Sequence, residues 1–304
     1  QSVGSTVVSE TGTTDVVSVV LNTQPTSDVS ISLSGLDASE ASVASTTITF
    51  TPTNWNVDQD VTVTGVADDV DDGDQSSTLT LSISGAAAYA ALDDQSVTAT
   101  TADDDTAGIT LTGTSVTVSE AGTAGSVSVV LDSQPTADVT FTVSGSDAGE
   151  ASVAPPTITF TPANWNVAQD VTIAGVDDVA TDGPQASTVT LSPASSDGAY
   201  DPMADLVVDV TTTDDDTAGV TVSQSDGSTV VSETGTTDMV SVVLNTQPTS
   251  DVTNTVDLAG SDEASIDVTE LTFTSTNWNV AQDVVVTGLD DSSDDGDQSS
   301  TLTF

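Results

Sequence analysis

The stretch TPANWNVAQD, residues 161–170, occurs three times in slightly altered form: it returns as TPTNWNVDQD at 51–60 and as STNWNVAQD at 275–283. Trp55, Trp165 and Trp278 are thereby spaced by 110 and 113 residues, and Glu10, Glu120 and Glu233, each following a serine, keep the same two spacings. Two unrelated words marching in step define an internal repeat. Around the middle copy, Ile158 and Phe160 precede the tryptophan word and Val171 and Ile173 follow it, each pair split by a polar residue. Such period-two alternation puts one face of a strand in a core and the other in water.

Working outward, the same alternation marks Val116 to Val118, Val127 to Leu131, Val139 to Val143, Thr188 to Leu191 and Leu206 to Val210, with Gly, Pro, Asn, Asp and Ser between the runs. Seven short strands in about a hundred residues read as an all-β, immunoglobulin-like Greek-key sandwich of antiparallel strands. The 304-residue chain is thus expected to hold three such sandwiches in tandem, at 1–105, 106–216 and 217–304, the third C-terminally incomplete. The boundary word Asp-Asp-Asp-Thr-Ala-Gly, at 103–108 and 214–219, leaves almost no linker, so neighbouring units are expected to touch end to end and form a rod. The open third unit is expected to continue in a longer array or to be completed by a strand from a neighbour.

Charge narrows the function classes. The chain has 48 acidic residues and no Lys, Arg or His, for a formal charge of −48. No side-chain salt bridge can form, so every carboxylate must be hydrated, accept hydrogen bonds or meet a cation from solution. Nucleic acid is excluded as a partner because nothing basic is present to neutralise phosphates. Without His, Cys or Lys the usual nucleophile-activating pairs cannot form, and a non-catalytic protein is expected. No apolar run reaches the length of a membrane span, and the acidic repeat character suggests an extracellular or cell-surface setting.

Strand parity turns the acidic words into geometry. If seven strands alternate in direction, the ends of strands one, three, five and seven lie at one pole, and the acidic words occupy those ends. In the first unit these are Glu10, Asp37 with Glu40, the group Asp68, Asp69, Asp71 and Asp72, and the triplet Asp103, Asp104 and Asp105. In the second they are Glu120, Asp147 with Glu150, Asp177, Asp178 and Asp182, and the triplet Asp214, Asp215 and Asp216. The third offers Glu233, Asp262, Asp290, Asp291, Asp294 and Asp295. Uncompensated, such a cluster raises its own pKa values or drives the loops apart. A hard divalent cation taking six to eight oxygens relieves it, and Ca2+ suits flexible carboxylate loops better than Mg2+. Isolated turn aspartates such as Asp28, Asp138 and Asp251 need no ion, since Asp caps local amides.

These words resemble the Calx-beta repeat of sodium–calcium exchangers and bacterial surface proteins. The resemblance is carried by the Val-Ser-Glu words at Glu10, Glu120 and Glu233, by Asp177-Asp178 with Asp182 following, by the terminal triplets, and by Tyr89 and Tyr200. It implies a seven-stranded sandwich holding calcium at one end, with Glu120, Asp177, Asp178 and Asp214 to Asp216 as ligands of the second unit. Gly73-Asp74-Gln75 and Gly183-Pro184-Gln185 depart from the family pattern, and Pro184 in place of Asp74 implies weaker binding of any second or third ion in the second unit. The expected role is a calcium-stabilised structural repeat of an adhesin, stalk, sheath or filament. Its expected partners are further repeats or copies of itself. The alternative is a glycan- or protein-binding adhesion module that uses calcium only as scaffold. The tryptophan of each unit is read as a loop or core anchor, with carbohydrate binding the competing role.

Overall fold

The computed structural model describes residues 5–145, 147–260, 262–293 and 296–304. Apart from one 3-10 turn at Ser225–Gly227, every regular element among them is a strand. The first repeat runs through β1 (Ser5–Ser9), β2 (Thr14–Val19), β3 (Val29–Ser34), β4 (Ala41–Val43), β5 (Thr47–Phe50), β6 (Gln59–Gly65), β7 (Gln75–Gly85) and β8 (Gln95–Ala102). The second holds β9 (Ile109–Thr112), β10 (Ser115–Ser119), β11 (Ala124–Leu131), β12 (Val139–Gly145), β13 (Ala151–Ala154), β14 (Thr157–Phe160), β15 (Gln169–Gly175), β16 (Gln185–Ser195) and β17 (Leu206–Thr213). The third holds β18 (Val220–Gln224), β19 (Thr237–Leu244), β20 (Val252–Thr255), β21 (Asp257–Ala259), β22 (Ala264–Ile266), β23 (Glu270–Phe273), β24 (Gln282–Gly288) and β25 (Thr301–Thr303).

Each sheet is drawn from one repeat. In the second, a sheet ordered β10-β17-β16-β12-β14 faces one ordered β13-β15-β11-β9; the first repeats this with β1-β8-β7-β3-β5 facing β2-β6-β4. The inward residues are those the alternation picks out. Val127, Val129 and Leu131 of β11 meet Phe141, Phe160, Ile173 and Leu191 in one core. Phe141 and Phe160 pack edge to face, with ring centroids 5.9 Å apart. Burying a side chain of this size contributes about 1.5–3 kcal/mol, so these few aliphatic and aromatic layers, rather than any ion pair, hold each sandwich together.

The seven-strand plan appears as eight or nine strand segments per repeat, since neighbouring segments such as β4 and β5 or β13 and β14 fall in opposite sheets. The opening strand of the second repeat divides between the two sheets: β9 pairs antiparallel with β11, the chain turns at Gly113 (φ +90°), and β10 pairs parallel with β17. That parallel pair is what parity requires at the acidic pole, since Ser119 stands beside Thr213, and in the first repeat Ser9 stands beside Ala102. The third repeat differs. Thr229–Ser232, matching β1 and β10 in sequence, is not a strand, and its core is divided into two smaller clusters. Its last strand, β25, occupies the place of the middle of β7, so among the described residues nothing corresponds to β8. Val231 is only partly buried, whereas Val8 and Val118 at the same repeat position are 1% exposed.

Successive repeats touch through loops. The Gln134 amide donates to the Asp69 carbonyl (2.5 Å), and the Ala107 amide donates to Asp71 Oδ2 (2.7 Å). One repeat later the Gln247 amide donates to the Val179 carbonyl (2.7 Å), and Thr181 Oγ1 meets Thr246 Oγ1 at 3.0 Å. The connecting Gly108 packs on Asp132 of its own repeat: its carbonyl accepts the Asp132 amide (2.9 Å), and a β-carbon there would push the Asp132 carboxylate aside.

Candidate metal centre

The acidic pole is built from strand ends. Glu120 follows β10 directly, and its amide donates to the Thr213 carbonyl (3.2 Å) at the end of β17, setting its side chain beside the Asp214–Asp216 triplet. Gly175 closes β15 against the same spot. A β-carbon there would lie 2.4 Å from the Ser119 carbonyl oxygen, so only glycine lets the Asp177–Asp182 loop come so close to Glu120. The loop then turns on Asp178, whose Oδ1 accepts the Ala180 amide (2.7 Å). Asp214 ties loop to triplet, its Oδ2 accepting the Gly183 amide and its Oδ1 the Asp216 amide, at 2.7 and 2.8 Å.

Two carboxylate triads result. Glu120, Asp178 and Asp216 place one oxygen each within 4.8 Å of one another, as do Glu150, Asp178 and Asp182. Asp178 is common to both. In the first repeat Glu10, Asp103 and Asp105 form a triad, which takes Asp103, the counterpart of Asp214, in place of Asp68, the counterpart of Asp178. There Asp103 Oδ2 accepts the Gly73 amide (2.7 Å), Asp103 Oδ1 the Asp105 amide (2.8 Å), and Asp68 Oδ1 the Val70 amide (2.9 Å).

Each glutamate at these poles keeps one carboxylate oxygen buried without a partner. Glu10 and Glu120 are 2% and 5% exposed, and Oε2 of Glu10, Glu40, Glu120 and Glu150, with Oδ2 of Asp216, are buried with no hydrogen-bond partner. Burial first, then the charges of Asp68 and Asp103, pushes Glu10 up to about 7; burial, then Asp178 and Asp214, does the same to Glu120. Burial and neighbouring carboxylates also raise Glu40, Glu150, Asp105 and Asp216. Asp214 moves the other way because the Gly183 and Asp216 amides favour its charged form.

Not every residue expected at the pole joins a triad. Of Asp147 and Glu150 it is Glu150 that reaches the cluster, while Asp147 Oδ1 caps the Gly149 amide (2.9 Å). Likewise Asp37 caps Ser39, which lowers its pKa, and Glu40 holds the buried oxygen. Asp69 presents its carbonyl to Gln134, and the carbonyl of Asp72 accepts from Gln75 Nε2. Asp104 donates from its main chain to Glu10, while Asp177 and Asp215 are exposed. The second repeat, which carries Pro184, is the one with two triads among the described residues. In the third repeat Glu233 and Asp290 line a shallow open groove with Gly235 and Gly288, Asp262 is exposed, and Asp291 Oδ1 caps the Ser293 amide (2.7 Å). Asp294 and Asp295 lie outside the described residues.

Sequence reasoning passed over Asp197. It is 7% exposed and accepts from the Thr136 amide (2.6 Å), Thr136 Oγ1 (2.9 Å) and the Ala199 amide (2.9 Å), clamping the loop between β11 and β12. Tyr200 joins it, accepting the Ser133 amide (3.2 Å) and donating to the Ser133 carbonyl (2.7 Å). An Asp three residues before the tyrosine was the available signal. The tryptophans act as anchors: Trp55, Trp165 and Trp278 pack against the cores, and their carbonyls accept the amides of Leu21, Leu131 and Leu244 at 3.1–3.2 Å.

Neither a protein-family model nor a curated protein matches the sequence. Among solved structures, the chain is similar to CBD12 from CALX1.2, at 12% identity over 69% of this chain and 98% of that one, with a TM-score of 0.31. It is similar to domains 4 and 5 of the S-layer protein SbsC, at 15% identity over 60% and 70% of the two chains and a TM-score of 0.30. A third similarity is to the Salmonella enterica SafA pilin in complex with the SafB chaperone, at 14% identity over 58% and 83% and a TM-score of 0.30.

Proposed function

We propose that this chain is a calcium-stabilised structural repeat array of an extracellular adhesin, stalk, sheath or filament, made of three immunoglobulin-like units. One observation carries the reading: carboxylate oxygens at the poles are buried, unpartnered and crowded by other carboxylates in a chain with no basic side chain. A buried, unpaired carboxylate is costly, and a protein normally neutralises it by protonation, pairing or a metal. Pairing is ruled out by composition, which leaves a cation or a proton.

The donor set is all oxygen, on loops, with carboxylates free to bind through one or two atoms, and this favours Ca2+ over the tighter octahedron of Mg2+. Glu120, Asp178 and Asp216 would hold one ion and Glu150, Asp178 and Asp182 a second, with Asp178 between them. Glu10, Asp103 and Asp105 would hold an ion in the first repeat. Calcium would draw strand ends from both sheets together and remove the repulsion that otherwise opens the pole. The tryptophans, anchored in the cores, give the glycan-binding alternative no support.

Isothermal titration with CaCl2 tests the proposal. Saturable binding is expected, reduced in stoichiometry by Glu120→Gln and unaffected by Asp28→Asn. Heats that match simple dilution, or binding that tracks total charge alone, would contradict it.

A further inference from the structure

We infer that the parallel pairs β10–β17 and β1–β8 are tension clamps, through which a pull along the chain passes while the rest of each sandwich stays unloaded. The second repeat shows the path, because the chain enters it from the first and leaves it for the third. The entering chain runs through β9 and turns at Gly113 into β10, and the leaving chain is the end of β17. Ser115 stands beside Asp209 at one end of the pair, and Ser119 beside Thr213 at the other. A pull therefore drags the Ser115 end of β10 and the Thr213 end of β17 in opposite directions along the strands.

Under such shear every main-chain hydrogen bond of the pair is stretched at once, whereas strands drawn apart from one end lose their bonds one at a time. The ladder runs past the strand ends. The Asp209 amide donates to the Thr114 carbonyl (3.0 Å), the Glu120 amide to the Thr213 carbonyl (3.2 Å) and Thr213 Oγ1 to the Val118 carbonyl (3.2 Å). Behind it Val118, Val208 and Val210 are 0–1% exposed, so water cannot replace a strained bond from the core side. The first repeat is built alike: Ser5 stands beside Thr98, Ser9 beside Ala102, and the Glu10 amide donates to the Ala102 carbonyl (3.1 Å). Strands β11 to β16, with the loops that carry Glu150, Asp178 and Asp182, lie between β10 and β17 in the chain and take no load until the clamp parts. The clamp goes beyond the calcium reading and does not rest on it, since its bonds are main-chain ones.

Single-molecule pulling on the whole chain tests this. The chain has no cysteine, so two introduced cysteines fix where the handles attach. Ser115→Cys with Thr217→Cys loads the clamp in shear, whereas Ser115→Cys with Asp209→Cys, on paired residues, peels it from one end. Ser5→Cys with Thr106→Cys, against Ser5→Cys with Thr98→Cys, repeats the comparison in the first repeat. All of these positions are exposed, so the handles leave the cores intact. Pulling in chelator keeps a failure here separate from a failure of the calcium reading. Forced unfolding is set by the barrier to opening, and at one pulling speed shear is expected to need roughly twice the peeling force or more in both repeats. Equal forces in the two geometries in either repeat, or a higher force on peeling, would overturn the proposal.

Discussion

The amide of Gln134 donates to the carbonyl of Asp69 at 2.5 Å, joining the second repeat to the loop that carries the first repeat's pole carboxylates. Asp68 presses its charge on Glu10, Asp69 makes the bond, and Asp71 accepts the linker amide of Ala107 (2.7 Å). One loop thus serves both the pole and the junction, so whatever fixes the pole also fixes the angle between repeats.

Glu120→Gln should change sign with calcium. In chelator the variant removes a buried, repelled charge and is expected to melt a few degrees above the parent. In calcium it loses a ligand and is expected to melt below it. Paired thermal melts followed by circular dichroism check the crossing.

The pH response should also reverse. Glu10 and Glu120 have folded-state values near 7, above their ordinary 4.5, so without calcium the folded state binds more protons than the unfolded one. Stability then rises as pH falls from about 7 to 4.5, by up to about 1.4 kcal/mol per pH unit for each group. With calcium the carboxylates stay ionised and protons compete with the ion, so stability falls over the same window. Urea titrations at pH 7.5, 6 and 5, with and without calcium, read the slope.

Gly175→Ala should cost about 1–3 kcal/mol, the range for overpacking, since its β-carbon meets the Ser119 carbonyl at 2.4 Å. Because Ser119 leads into Glu120, calcium binding in the second repeat should weaken as well. Urea melts and calcium titration of the variant measure both.

Much of this was legible in sequence because period-two alternation in a protein with few large apolar residues leaves little choice of inward face. Val127, Val129, Phe141 and Ile173 are buried as the pattern requires. Parity likewise brought Glu120, Asp178 and Asp216 to one end. What alternation could not show was the split of the opening strand at Gly113, which depends on a single positive φ. Nor could it rank acids within one loop: Asp147 and Glu150 look equivalent, but the shorter side chain caps its own turn and the longer one reaches the cluster. Asp197 was passed over because its partner Thr136 lies 61 residues away.

The most direct test is thermal unfolding of the chain in calcium, in magnesium and in chelator at matched ionic strength. Each independent site adds RT ln(1 + [Ca]/Kd), about 2.7 kcal/mol at a hundredfold excess over Kd. The melting temperature is expected well above the chelator value in calcium, with little gain in magnesium. Three superimposable melting curves would contradict it.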